Sequence, residues 1–95
     1  MLKKINICGV PFKIKQVNVL YEEDAGITQG DIQYSKAKIR VCKRLPKQIK
    51  ERVLYHEILH GMLVQLGYND LSNDETFVQC FSNAMYQMFS LKEDK

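Results

Sequence analysis

An α+β domain is the fold class that the sequence predicts, and three observations lead to it. Apolar and polar residues alternate in short runs up to Cys42, the mark of half-buried strands. After Pro46 the apolar spacing becomes helical and stays so. No repeat, linker or low-complexity stretch separates the two halves, and 95 residues suffice for one small core. The expected architecture is a single domain over 1–95, a small antiparallel sheet of two hairpins with two helices packed on one face.

Each element follows from its own stretch. Lys3 to Cys8 (KKINIC) alternates, Gly9-Val10-Pro11 reads as a turn, and Phe12 to Leu20 (FKIKQVNVL) alternates again, so these two runs form a hairpin. Tyr21 to Gly26 (YEEDAG) is polar, ends in glycine and reads as a loop. Ile27 to Tyr34 and Ala37 to Cys42 make a second strand pair joined around Ser35-Lys36. In its latter strand Ile39 and Val41 face one way and Lys38 and Arg40 the other, which gives the sheet a buried and a wet face. Pro46 suits a helix start, and residues 47 to 66 carry Ile49, Val53, Leu59, Met62, Leu63 and Leu66 at helical spacing. Gly67 then serves as the C′ glycine. Beyond the polar link GYNDLSND, a second amphipathic helix runs from Ser72 to Leu91, with Phe77, Phe81, Ala84, Met85, Met88 and Phe89 among its apolar positions.

Composition narrows the function. A hydrophobic share of 45% with 26% charged residues is that of an ordinary globular chain. Net charge is +3, and the lysines are spread along the chain with small clusters at Lys3–Lys4 and Lys43–Arg44, so no nucleic-acid partner is expected. Cys8, Cys42 and Cys80 form no CxxC pair and read as reduced thiols in a cytoplasmic protein. Core packing accounts for Cys42 and Cys80 more simply than metal ligation. The N-terminus lacks the apolar stretch of a signal peptide, and no segment approaches the roughly 18 apolar residues of a bilayer span, so no membrane partner is expected.

The chemistry lies in LYHEILHGMLVQLGY, residues 54 to 68. His56 and His60 are the protein's two histidines. Four residues apart on a helix, they stand roughly 40° apart in azimuth and one turn along the axis. Two imidazoles so placed can direct a nitrogen each to one point at the roughly 2.0–2.1 Å that zinc requires. Glu57 is rotated by about 100° from His56. It is therefore expected to serve as general base, taking a proton from a water on the metal. The flanking residues are strongly apolar, where unpartnered imidazoles would be costly, and Gly61 lets a backbone or a substrate come close.

A catalytic zinc takes three protein ligands and keeps one position open. Glu75, in the opening turn of the second helix, is the leading third ligand. Asp74 and then Asp70 compete with it, and Ser72 with Glu75 also matches a capping box. Gln79, one turn beyond Glu75, is placed to accept the other N–H of a ligating imidazole, or simply to pack or face solvent.

These residues carry a resemblance. The strand pair ITQGDIQYSKAKIRVC, then VLYHEILHGML, then DETFVQCFSNAMYQMF resemble the zincin fold. Within it they are similar to gluzincins, whose ligands are HExxH plus a glutamate on a following helix. The nearest likeness is to the very small ImmA/IrrE-type and minigluzincin-like metallopeptidases of phages and mobile elements. It spans roughly residues 27 to 89, with HExxH as its specific part. The resemblance implies a zinc-dependent endopeptidase with His56, His60 and Glu75 as ligands and Glu57 as general base. It also implies that Gln29 to Tyr34 is an edge strand that binds an extended peptide substrate around Gly30, Asp31 and Ile32. No further histidine exists to steady an oxyanion; Tyr34 and Tyr68 are candidate donors of that hydrogen bond, with simple packing as the alternative for either. Two imidazoles and a carboxylate also suit manganese, cobalt or nickel. The alternative expectation is a catalytically silent metal-binding interaction or regulatory module, in which the metal is a structural clip.

Overall fold

The computed structural model of the protein describes residues 1–18, 20–22 and 26–93. Strands β1 (Lys4–Ile7) and β2 (Val10–Val17) form the first hairpin, as expected. Its turn is tighter than Gly9-Val10-Pro11. Cys8 and Gly9 alone turn the chain, both at positive φ (50° and 86°), the pair of left-handed residues that suits a two-residue hairpin. Val10 and Pro11 already stand opposite Ile7 and Asn6.

Strands β3 (Leu20–Glu22) and β4 (Gly26–Thr28) pair with each other as a separate antiparallel ribbon. Tyr21, Glu22 and Gly26, expected in a loop, are therefore strand residues, while 23–25 lie outside the described residues. The single strand expected from Ile27 to Tyr34 is divided between β4 and β5 (Gly30–Gln33). A 3-10 turn, Tyr34–Lys36, and left-handed Ala37 lead into β6 (Lys38–Cys42), which pairs antiparallel with β5.

The α+β class holds, but the main sheet is mixed, not antiparallel. Its order is β1-β2-β6-β5, and β2 runs parallel to β6. Alternation reveals which residues share a face and says nothing of strand direction. The excursion through β3, β4 and β5 provides the long crossover that a parallel pair needs.

Three helices follow instead of two: α1 (Lys47–Gln65), α2 (Asn69–Ser72) and α3 (Glu75–Glu93). Gly67 takes the positive φ of a C′ residue, 87°. The main core joins Ile7, Phe12, Ile14, Ile39 and Val41 of the sheet to Val53, Leu54 and Ile58 of α1. A second, smaller cluster joins Leu59 and Leu63 of α1 to Val78 of α3, with Phe77 and Met85 against it. The helices are thus layered, α1 on the sheet and α3 chiefly on α1. Leu66, Phe81, Met88 and Phe89, expected on packed faces, are exposed. No helix among the described residues is long and apolar enough to cross a membrane.

Two glycines set how closely α1 sits on the sheet. Gly61 faces inward: a Cβ there would meet the side-chain tips of Ile7 and Ile32 at 3.0 Å, so its small size serves core packing and not a substrate. Gly30 is tighter. A Cβ there would lie 2.5 Å from Val53 Cγ1 and 2.9 Å from the Arg40 carbonyl oxygen, with Glu57 Cγ at 3.8 Å. Gly30 therefore lets the helix carrying Glu57 press against the edge strand. Gly30→Ala is expected to cost about 1–3 kcal/mol through overpacking, read as a lower urea midpoint at unchanged slope.

Candidate metal centre

Helix α1 serves three directions because each residue advances about 100° around its axis. Val53, Leu54 and Ile58 face the sheet, and Leu59 and Leu63 face α3. His56 and His60 fall between these two stripes, half-buried in a cleft bordered by β5 and the start of α3. The apolar faces on either side hold the imidazoles in register.

Among the described residues, one group has the make-up of a metal site: His56, His60 and Glu75, with one donor atom from each lying within 4.8 Å of the others. The two Nε2 atoms are 3.2 Å apart, and Glu75 approaches His56 Nε2 at 3.5 Å and His60 Nε2 at 2.9 Å. Tetrahedral zinc with bonds of about 2.0–2.1 Å sets its ligand atoms about 3.3 Å apart. The Nε2–Nε2 separation matches that value, and Glu75 meets His60 through Oε1 and His56 through Oε2, so the group is a possible metal triad. The Glu75 side chain is 65% exposed, which leaves one side of the triad open to solvent.

The half-turn between the helices makes this possible. Helix α2 is one turn long, and α3 begins at Glu75. Asp74, a rival ligand by sequence, caps α3 instead: its Oδ1 accepts the Phe77 N–H at 3.0 Å and its carbonyl accepts the Val78 N–H. Asp70 sits on α2 beside a separate surface hollow, with Gly67 and Tyr68. Relieved of capping, Glu75 is available to the histidines.

Ser72 is not the cap of a capping box. It is buried, and its Oγ lies 3.1 Å from His60 Nδ1 and 3.4 Å from the His60 carbonyl oxygen. In the tautomer that carries its proton on Nδ1, His60 donates to Ser72 Oγ and leaves the Nε2 lone pair facing Glu75 and His56. The outer partner of His60 is thus a serine that sequence reading assigned to another task, since a lone Ser carries no ligand signal. Ser72→Ala is expected to weaken zinc binding about 10–100-fold by releasing the ring's tautomer and orientation. Competition with a chromogenic chelator measures this, with circular dichroism checking that the fold is intact.

His56 is supported differently. Burial and the neighbouring His60 imidazole lower its pKa, against the opposing pull of the Glu75 carboxylate and a hydrogen bond donated to Gln79. The ring is therefore neutral at pH 7, the state that ligates a metal. Gln79 is hydrogen-bonded to His56, and its Nε2 donates to Asn83 Oδ1 at 3.4 Å.

Glu57 is 8% exposed and lines the cleft together with His56 without being one of the three donors. Tyr34 borders the same cleft beside Ser72. Burial raises the Tyr34 pKa, opposed by its hydrogen bond with Ser72 and aided by the Glu57 charge, so the phenol keeps its proton and remains a donor. Tyr68, the other donor candidate, is 58% exposed and borders the separate hollow on the far side of the helix reversal. Tyr68 does not line the cleft that holds His56, Glu57 and His60.

Strand β5 is an edge: it pairs with β6 on one side and with no other strand among the described residues. Gly30, Asp31 and Ile32 line the cleft, whose volume is about 490 Å³. The Asp31 carboxylate is held by Arg40, with Nε donating to Oδ1 at 2.9 Å and the Nη2–Oδ2 contact completing a fork. What β5 offers the cleft at Asp31 is therefore main chain. Cys42 is buried and its Sγ donates to the Thr28 carbonyl, whereas Cys80, expected in the core, is exposed. Neither thiol joins the triad. Comparison of the chain with family models, with curated proteins and with solved structures finds no match.

Proposed function

We propose that the protein is a zinc-dependent peptidase of the gluzincin type, acting on an extended peptide segment. The observation that carries this reading is the convergence of His56, His60 and Glu75, with one donor atom of each within 4.8 Å of the others, beside a buried carboxylate that is not one of them. Zinc held by His56, His60 and Glu75 would supply Lewis-acid polarisation of the scissile carbonyl and a more acidic water.

The residues of the chain provide the rest. Glu57 accepts the proton of the attacking water and returns it to the leaving amine. Its burial against β5, allowed by Gly30, fixes the carboxylate with little rotameric freedom. The Tyr34 hydroxyl, kept protonated, is the available donor for an oxyanion in the same cleft. Main-chain groups of Gly30, Asp31 and Ile32 pair with substrate backbone as a further strand would, which aligns the scissile bond along the cleft.

The test is incubation of the zinc-loaded chain with unfolded casein and a random peptide library, with products read by mass spectrometry. Cleavage that a chelator stops and zinc restores is the expected result. One bound zinc per chain without any cleavage would overturn the peptidase and favour the silent metal-binding module. No stoichiometric zinc would overturn both.

A further inference from the structure

The face of the main sheet turned away from α1 takes no part in the metal centre, and the strand register gathers charge there. Lys4 stands beside Lys13, and Lys13 beside Lys38, so three lysines form one row across β1, β2 and β6. Two residues further along, Lys15 stands beside Arg40, which in turn holds Asp31. Partners in register project from the same face of a sheet. Ile14 and Ile39, which intervene, point into the core. Lys4, Lys13 and Lys15 are exposed, and Lys38 and Arg40 are half-buried. None of the four lysines forms an ion pair with a carboxylate among the described side chains, which exclude those of 19–27 and 90–95.

With strands about 4.8 Å apart and about 3.3 Å per residue, the five cations occupy a patch roughly 10 Å by 7 Å. In sequence they are scattered from residue 4 to residue 40, and only the parallel β2–β6 pairing brings them together. Like charges set directly across strands destabilise a sheet. Here the arrangement occurs twice in a single row, which points to an external counter-charge.

The composition of the face selects the partner. Asn6, Pro11, Val17, Asp31 and Gln33 share it with the cations, so among the described side chains no aromatic ring on this face offers a platform for unstacked bases. No large apolar side chain stands among the cations to enter a bilayer. Flat, cationic and without apolar anchors, the surface complements a dense array of phosphates. We propose that this sheet face binds the phosphate backbone of a nucleic-acid duplex without reading its sequence. The inference rests on strand register alone and is independent of the metal centre on the other side of the sheet.

Fluorescence anisotropy of a labelled 20-base-pair DNA duplex, titrated with the full zinc-loaded chain over a range of salt concentrations, tests it. About four phosphate contacts predict a slope of log K against log salt near −3.6. Lys13→Gln combined with Lys38→Gln is expected to flatten the slope by about 1.8 and to weaken binding at least tenfold at low salt. The same variant keeps or raises Tm, because the row's repulsion is relieved. Lys47→Gln, at the exposed start of α1, leaves binding unchanged. Absence of salt-dependent binding, equal binding by the double variant, or preference for vesicles containing phosphatidylserine over the duplex would each overturn the proposal.

Discussion

Replacement of Glu57 by glutamine is expected to leave one zinc bound per chain and to lower hydrolysis by about 10²–10⁴-fold, the range of a lost general base. The reasoning is geometric. Glu57 is buried at the cleft wall beside His56 and is not one of the three converging donors. An amide fills the same volume against Val53 and Gly30 but cannot take up a proton from water. Metal content by mass spectrometry and cleavage of a fluorogenic peptide pool, measured on one preparation, separate the two roles. Zinc lost together with activity would make Glu57 a ligand. Activity retained would mean that another group accepts the proton.

The second large effect concerns His60. Its Nε2 lies at 2.9 Å from Glu75 and 3.2 Å from His56 Nε2, and its Nδ1 engages Ser72, so one ring ties α1 to both α2 and α3. Zinc at about 1,000 times its Kd stabilises a fold by about 4 kcal/mol. In a domain of this size each kcal/mol shifts Tm by about 4–8 °C. The unaltered chain should therefore gain well over 10 °C on zinc addition, and His60→Ala should lose that gain almost entirely. Calorimetry with and without zinc measures both. An equal shift in the variant would show that zinc is held elsewhere.

How far the sequence foretold this site depended on whether the signal was local. The helical phase of His56 and His60 follows from four residues of spacing, and Glu75 from a short reversal. The competition between Ser72 and Asp74 for the cap was also local, yet both residue types are good caps and only the position of the α2 turn decides between them. Strand direction depended on a partner some 25 residues away, so the parallel β2–β6 pair was hidden, and the lysine row with it. Tyr34 and Tyr68 looked equivalent as donors flanking the same motif. The fold brings Tyr34 to the cleft beside Ser72 and puts Tyr68 at a separate hollow.

The brevity of β5 has a consequence for selectivity. Four residues, Gly30–Gln33, can zip to only about four residues of a visiting chain. A folded visitor has its own amides and carbonyls already engaged, so it has nothing to lend to this edge. On the proposed reading, the protein would gauge slack in its targets before residue identity, and a protein would become vulnerable wherever a few residues of its backbone come loose.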